Sequence, residues 1–270
     1  MNKTEAVRHL QRDEQFYSAF AVATNLPYVT CDEETFNDQV WVFSSEEEVK
    51  EFGRKCAEKK IALMGRIVKR EQYLRFYGTL FSLGVNTVVY QNGAEKFEID
   101  LGEIAQKKDH SGLPENQRPL ENPTLQLSGV YFLQEMRKPG KLEEKTNIQE
   151  LEEEFLVNLL KSVFLLAGEL VEPEEGSKEA GAQPQIRIPY LKDKNNKILQ
   201  PVFSDQMELE KFLQVRKIQK CRVMRVPFSD LGKATMKMAE GIVINPLGFN
   251  LPLTNDQLSK LLPEETPEEK

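Results

Sequence analysis

The sequence is poor in the residues from which metal and catalytic centres are most often built. It has two histidines, three cysteines and one tryptophan in 270 residues. His9 and His110 have no cysteine or second histidine at metal-ligand spacing, so no metal site is expected. His9 reads as a surface residue ahead of the first helix. His110, in a linker, would need a nucleophile and an orienting acid from elsewhere to act as a base. Gly78, Gly84, Gly93 and Gly102 are scattered, and none opens a helix as a phosphate-cradling loop does. No cofactor is expected. Cys31, Cys56 and Cys221 are odd in number and widely spaced, which argues against a disulfide framework and for reduced thiols in a cytoplasmic protein. No apolar run approaches the roughly 18 residues of a membrane span. Met1–Arg12 lacks the apolar segment of a secretory signal. No membrane association is expected.

Charge is abundant but uneven. The net charge of −7 argues against bulk binding of nucleic acid. Residues Ile186–Met238 nevertheless hold 12 Lys and Arg against 5 Asp and Glu. Acidic stretches elsewhere outweigh them: Glu143–Glu154, Glu169–Glu179 and Pro263–Lys270. Solvated surface is the plainer reading of such bias. The functional reading is an anionic partner docking on the basic stretch, through Arg216, Lys217, Lys220, Arg222 and Arg225.

The chain repeats itself. Val42-Phe43-Ser44-Ser45 and the acidic run after it recur as Val202-Phe203-Ser204-Asp205, a shift of 160 residues that also pairs Lys60 with Lys220, Leu63 with Val223 and Met64 with Met224. Further on the shift is 154, pairing Val88-Val89-Tyr90 with Ile242-Val243-Ile244, Ile99 with Leu253 and Ile104 with Leu258. Capping boxes recur as well: Ser45 with Glu48, Asp205 with Glu208, Asp100 with Glu103 and Thr254 with Gln257. Each copy reads as a leading helix (about 13–24 and 148–163), then strands around a capped helix (46–58 and 206–215). A further strand and helix follow (71–83 and 229–238), then a hairpin and a short last helix. The hairpin turns are Gln91-Asn92-Gly93 and Asn245-Pro246-Leu247-Gly248. The alternation of Leu125, Leu127, Tyr131 and Leu133 predicts one more strand. Glu172–Pro184 reads as a mobile loop, whose acidic part Glu172–Glu179 could lie over Lys220, Arg222 and Arg225 and compete with an anionic partner, and residues 263–270 as a disordered acidic tail.

The fold class that follows is α+β: two copies of a small mixed strand and helix module, each a sheet with helices packed on it, in two layers. The boundaries expected are 1–107 for a diverged first module, 108–123 for a linker with three prolines, 124–147 for a connecting segment and 148–262 for the second module.

With these motifs in place, the chain resembles the bacterial SseB family, named for enhanced serine sensitivity. Pro201-Val202-Phe203-Ser204-Asp205 is similar to the family's strand-into-helix signature. Gly241-Ile242-Val243-Ile244-Asn245-Pro246-Leu247-Gly248 is similar to its closing signature, with Leu247 where an aromatic is usual. The resemblance covers most of residues 13–262 and is stronger in the second copy. It implies the fold, and supplies no catalytic residue or cofactor.

The remaining candidates have plainer structural readings. Glu46, Glu47 and Glu48 favour a helix dipole, and Glu152, Glu153 and Glu154 form the wet face of a helix that buries Phe155 and Leu159. Cys221, between Lys220 and Arg222, could be a reactive thiolate, but alternation turns it inward with Val223. The Asn245–Gly248 turn reads as turn chemistry first and as a recognition loop second, with Asn245, Pro246 and Gly248 as candidate contacts. The function these readings favour is a non-enzymatic protein-interaction or regulatory protein with a protein partner. The alternatives are a small-molecule binder or enzyme with a site between the modules, and a weak anion or RNA binder through the basic stretch, whose affinity would fall steeply with salt.

Overall fold

A computed structural model describes residues 1–171 and 185–262. The loop and tail expected at 172–184 and 263–270 lie outside the described residues. The chain divides into two compact units, Met1–Phe155 and Leu156–Lys270.

The first unit opens with α1 (Lys3–Arg12) and β1 (Gln15–Ala21), followed by β2 (Val29–Cys31) and β3 (Asp38–Phe43). Then come α2 (Glu46–Glu58), β4 (Leu63–Lys69), a single 3-10 turn and α3 (Tyr73–Ser82). The hairpin β5 (Thr87–Asn92) and β6 (Glu95–Asp100), the short α4 (Leu101–Ile104) and α5 (Pro123–Met136) complete it. The sheet order is β4-β1-β3-β5-β6, with β2 on β3. β3 and β5 run parallel; the other pairs are antiparallel.

Two expectations fail here. Residues 13–24 hold a strand, not a helix. Both faces of β1 are covered, by Phe16 on one side and Ala19 and Ala21 on the other, so its sequence lacks the alternation that marks a half-wet strand. The helix lies earlier, capped by a box of Asn2 and Glu5, and it carries His9. Residues 125–133 form helix, not strand: Pro123 stands in the first turn of α5, where its missing N–H is no loss.

Helices cover both faces of the first sheet, one layer more than expected. Val49 of α2 packs on the face that carries Ala19 and Phe43. The rings of Tyr73, Phe76 and Tyr77 of α3 meet Phe16 at 4.7–6.1 Å. Phe16 and Ala19 are an odd number of residues apart, so they point to opposite sides.

α6 (Ile148–Lys161) spans the division between the units. The second unit continues with β7 (Val163–Val171), β8 (Gln185–Arg187), β9 (Leu191–Lys192) and β10 (Ile198–Val202). It ends with α7 (Gln206–Arg216), β11 (Cys221–Pro227), α8 (Leu231–Ala234), β12 (Gly241–Ile244), β13 (Leu251–Thr254) and α9 (Asn255–Leu261). Its strands order as β13-β12-β10-β9 and β11-β7-β8. A bridge between Leu165 and Phe203 joins the two groups through amide–carbonyl bonds of 2.8 and 3.0 Å.

That bridge matches the pairing of Tyr17 with Phe43. Both units therefore share one strand order, β4-β1-β3-β5-β6 and β11-β7-β10-β12-β13, with the parallel pair in the same place. The ladders also correct the alignment. Tyr17 opposes Ile67 and Leu165 opposes Arg225, so this strand shifts by 158 residues, not 160. Leu63 corresponds to Cys221, Met64 to Arg222 and Arg66 to Met224. A slip of two leaves every side chain on its proper face, which is why the sequence pattern conceals it. The largest difference lies beyond: α3 has ten residues and α8 four, although a helix over 229–238 is expected.

Candidate functional site

The Asn245–Gly248 turn and the Ser204-Asp205 motif prove to be two halves of one buried joint. Asn245 adopts a left-handed φ of 48°, which a short polar side chain tolerates better than most. Its N–H donates to the Val202 carbonyl at 3.0 Å. Its side-chain oxygen accepts from Ser204 N–H at 2.9 Å, and its amide donates to Ser204 Oγ at 2.7 Å. Ser204 Oγ donates to Asp205 at 2.7 Å, and Asp205 caps α7 by accepting from Glu208 N–H at 3.0 Å. Ser204, Asp205, Glu208 and Asn245 are all buried. Glu208 does not reach back to complete a box; it accepts from Lys211 Nζ at 2.6 Å, and Gly248 lies so close that a Cβ there would stand 2.7 Å from its carboxylate. In the first unit the cap recurs, with Glu48 N–H donating to Ser45 Oγ, but the partners differ: Ser44 Oγ and the N–H groups of Ser45 and Gly93 all donate to the Glu48 carboxylate, in a wetter setting. Asn245 and Gly248 thus hold the fold; Pro246 is half-buried, and Leu247 is the exposed member of the turn. The Asp100 cap is also only half of a box, accepting from Gly102 N–H at 2.6 Å.

The structure separates the basic residues. Arg222 and Met224 stand opposite Gly168 and Leu166, and Val223 and Arg225 opposite Ala167 and Leu165. Directly opposed residues share a face, so Arg222 and Arg225 point to opposite sides of the sheet. Arg216 and Lys217 lie at the end of α7, where Lys217 takes a left-handed φ of 56°. Lys220 precedes β11, and all five cations are exposed. They do not form one continuous basic face. Burial pushes the Cys221 thiol up, the opposite of activation; it is half-buried, and all three cysteines are unpaired.

Periodicity did not reveal what the face beside α8 carries. Met224 and Ile186 are each 51% exposed, and Tyr190 43%. Ile186 opposes Leu170, two residues from Gly168 and on the same face. A hollow of about 70 Å³ opens there, bordered by Leu166, Gly168, Ile188, Arg222, Met224 and Ala234. The signal was in the alignment: Gly168 stands where the first unit has Phe20, whose ring packs under the Arg66 guanidinium at 4.4 Å. Ile186 Cγ2 takes part of that ring's place, 2.5 Å from where a Cβ on Gly168 would stand, and the hollow is the part left beside it.

A wider cleft of about 600 Å³ lies between α8 and α9, with Ala239 and Leu258 among its lining. The hydroxyls of Thr235 and Ser259 there donate to the Leu231 and Asn255 carbonyls, so neither is set up as a nucleophile. No group of histidine, cysteine and carboxylate residues that could hold a metal ion occurs among the described residues. No helix among them is long and apolar enough to cross a membrane. His9 lies on α1 with Nδ1 2.7 Å from Asp13.

Residues 142–260 match the family model described as SseB protein N-terminal domain. No curated protein matches the chain. Among solved structures, Anabaena Tic22 (protein transport) aligns over 86% of this chain and 85% of its own, at 9% identity and a TM-score of 0.21. A likeness that loose carries neither fold nor function across.

Proposed function

Starting from a chain that carries an SseB protein N-terminal domain, we propose that it is a non-enzymatic protein-interaction or regulatory protein whose partner meets the second unit beside β11. The observation that carries this reading is the exposure of Met224, Ile186 and Tyr190, with Arg222 at the same surface. Large apolar side chains grouped at a surface favour protein contacts, and an arginine among them suits an interface. The division of the cations between two faces favours a protein over a polyanion. The unpaired cysteines are consistent with a reducing, cytoplasmic setting. The repeated strand order supports reading the first unit as a diverged copy of the same module.

The test is affinity capture of the tagged protein from native cells. The Arg222→Glu/Met224→Asp variant is compared with Val223→Asp, which changes the opposite face of the same strand. The expected result is a reproducible protein partner lost only in the first variant. No partner in any form, or equal loss in both variants, overturns the reading.

A further inference from the structure

We propose that the open face of the second unit seats an acidic amphipathic helix of the partner, in the way that the first unit seats its own α5. This rests on the reading above and names the chemistry of the partner.

The first unit supplies the pattern. α5 lies against α3 and β2 and presents Leu127, Tyr131 and Gln134, spaced as one helical stripe. Gly84 packs so tightly on its start that a Cβ there would stand 3.2 Å from the Pro123 carbonyl and 3.5 Å from the Leu127 Cβ. The Tyr131 hydroxyl donates to Asp38 at 2.6 Å. Gln134 accepts from Val29 N–H at 3.1 Å and donates to the Val29 carbonyl at 2.9 Å. One side-chain amide thereby satisfies the outward backbone groups of an edge strand, which otherwise invite pairing.

The second unit keeps the strand side of that seat, while α8 offers four residues where α3 offers ten. β9 takes the place of β2: Asp32 N–H donates to the Asn37 carbonyl and Asp193 N–H to the Lys197 carbonyl, closing equivalent turns. Alternation then turns the N–H and C=O of Tyr190 outward, where Val29 turns its own. Met238 corresponds to Gly84 and is 63% exposed, and Ile198 corresponds to Asp38. The seat is therefore more apolar than its counterpart, and the methionine can reshape around an incoming side chain. The hollow beside Ile186 is about half of a cavity of about 150 Å³ that takes benzene, room for one aliphatic side chain.

The surrounding charge selects the partner. Lys192 lies in β9 and Lys194 just after it, Arg222 borders the hollow, and Lys237 lines the cleft between α8 and α9; all four are exposed. Asp193 accepts from the backbone of Asn195 and Lys197, and Glu240 lies 3.3 Å from Lys197. An acidic flank on the helix complements the cations that remain.

The probe is a fluorescent peptide of residues 121–137 carrying Ser128→Glu and Arg137→Glu, titrated against the full chain and read by anisotropy. Saturable binding is expected, weakened about tenfold by Met238→Asp or Ile186→Asp in the protein, a loss of about 1.4 kcal/mol. Gln134→Ala in the peptide should also weaken it about tenfold, and moderate salt several-fold. Circular dichroism checks that the protein variants, both changes of exposed side chains, remain folded. Absence of binding, or binding indifferent to both protein variants, overturns the proposal. So does concentration-dependent self-association abolished by the same variants, because a second copy would then be the occupant. A partner captured as above while the peptide fails removes the helix and leaves the broader reading. Peptide binding with no partner captured sinks the broader reading, and with it the partner that the helix would belong to.

Discussion

Replacing Asn245 should damage the second unit in two separable ways. The side chain makes two hydrogen bonds to Ser204 in a fully buried setting. Removing partners from buried polar groups costs about 1–3 kcal/mol. The backbone at φ 48° adds roughly 1–2 kcal/mol for a residue with a Cβ and no polar side chain to bond locally. Asn245→Ala should therefore lose about 2–5 kcal/mol, and Asn245→Gly, which keeps the backbone at ease, about 1–3 kcal/mol. The assay is urea unfolding followed by far-ultraviolet circular dichroism, with fluorescence of Trp41 reporting the first unit. Stability of Asn245→Ala within about 0.5 kcal/mol of the parent would refute the joint. Equal losses for alanine and glycine would refute the backbone part.

Other expectations follow from single contacts. A Cβ on Gly241 would stand 2.2 Å from the Leu253 carbonyl oxygen, so Gly241→Ala should part β12 from β13 and cost about 2–3 kcal/mol in thermal unfolding. Ser45→Ala removes the cap of α2 and should cost about 1 kcal/mol, with Ser45→Asp restoring it in the same melt. Burial pushes the Tyr28 and Tyr90 hydroxyls up to about 12 from the ordinary 10. The fold favours their neutral form, so this contribution is complete below pH 10 and is lost as pH rises towards 12. Tyrosinate absorbance should show these groups ionising late; ionisation of all tyrosines together near pH 10 with the fold intact would contradict it.

The sequence shows the repeat because fully buried positions tolerate little change. Phe43 and Phe203 occupy the same bridge in both units, and the caps beside them recur. It hides β1, whose two covered faces leave no period to read, and α5, whose Leu125, Leu127, Tyr131 and Leu133 fit a strand as well as a helix. Asn2 and Glu5 form a box as plain as Ser45 and Glu48, yet only Ala6 and Leu10 of α1 are buried, too few to announce a helix by pattern. The basic stretch is legible as composition, whereas its division between two faces depends on the ladder of β7 with β11. The hollow beside Ile186 depends on the loss of a ring at Gly168 that Ile186 only partly replaces, a relation that rests on the register of the ladders.

The most direct test of a partner on the second unit is photocrosslinking from two neighbouring positions of β11. Met224 and Val223 are both exposed and point to opposite faces. A photoreactive residue placed at either position and irradiated in native cells should give a protein adduct from position 224 and none from 223. Adducts of equal yield from both positions, or from neither, would contradict the account.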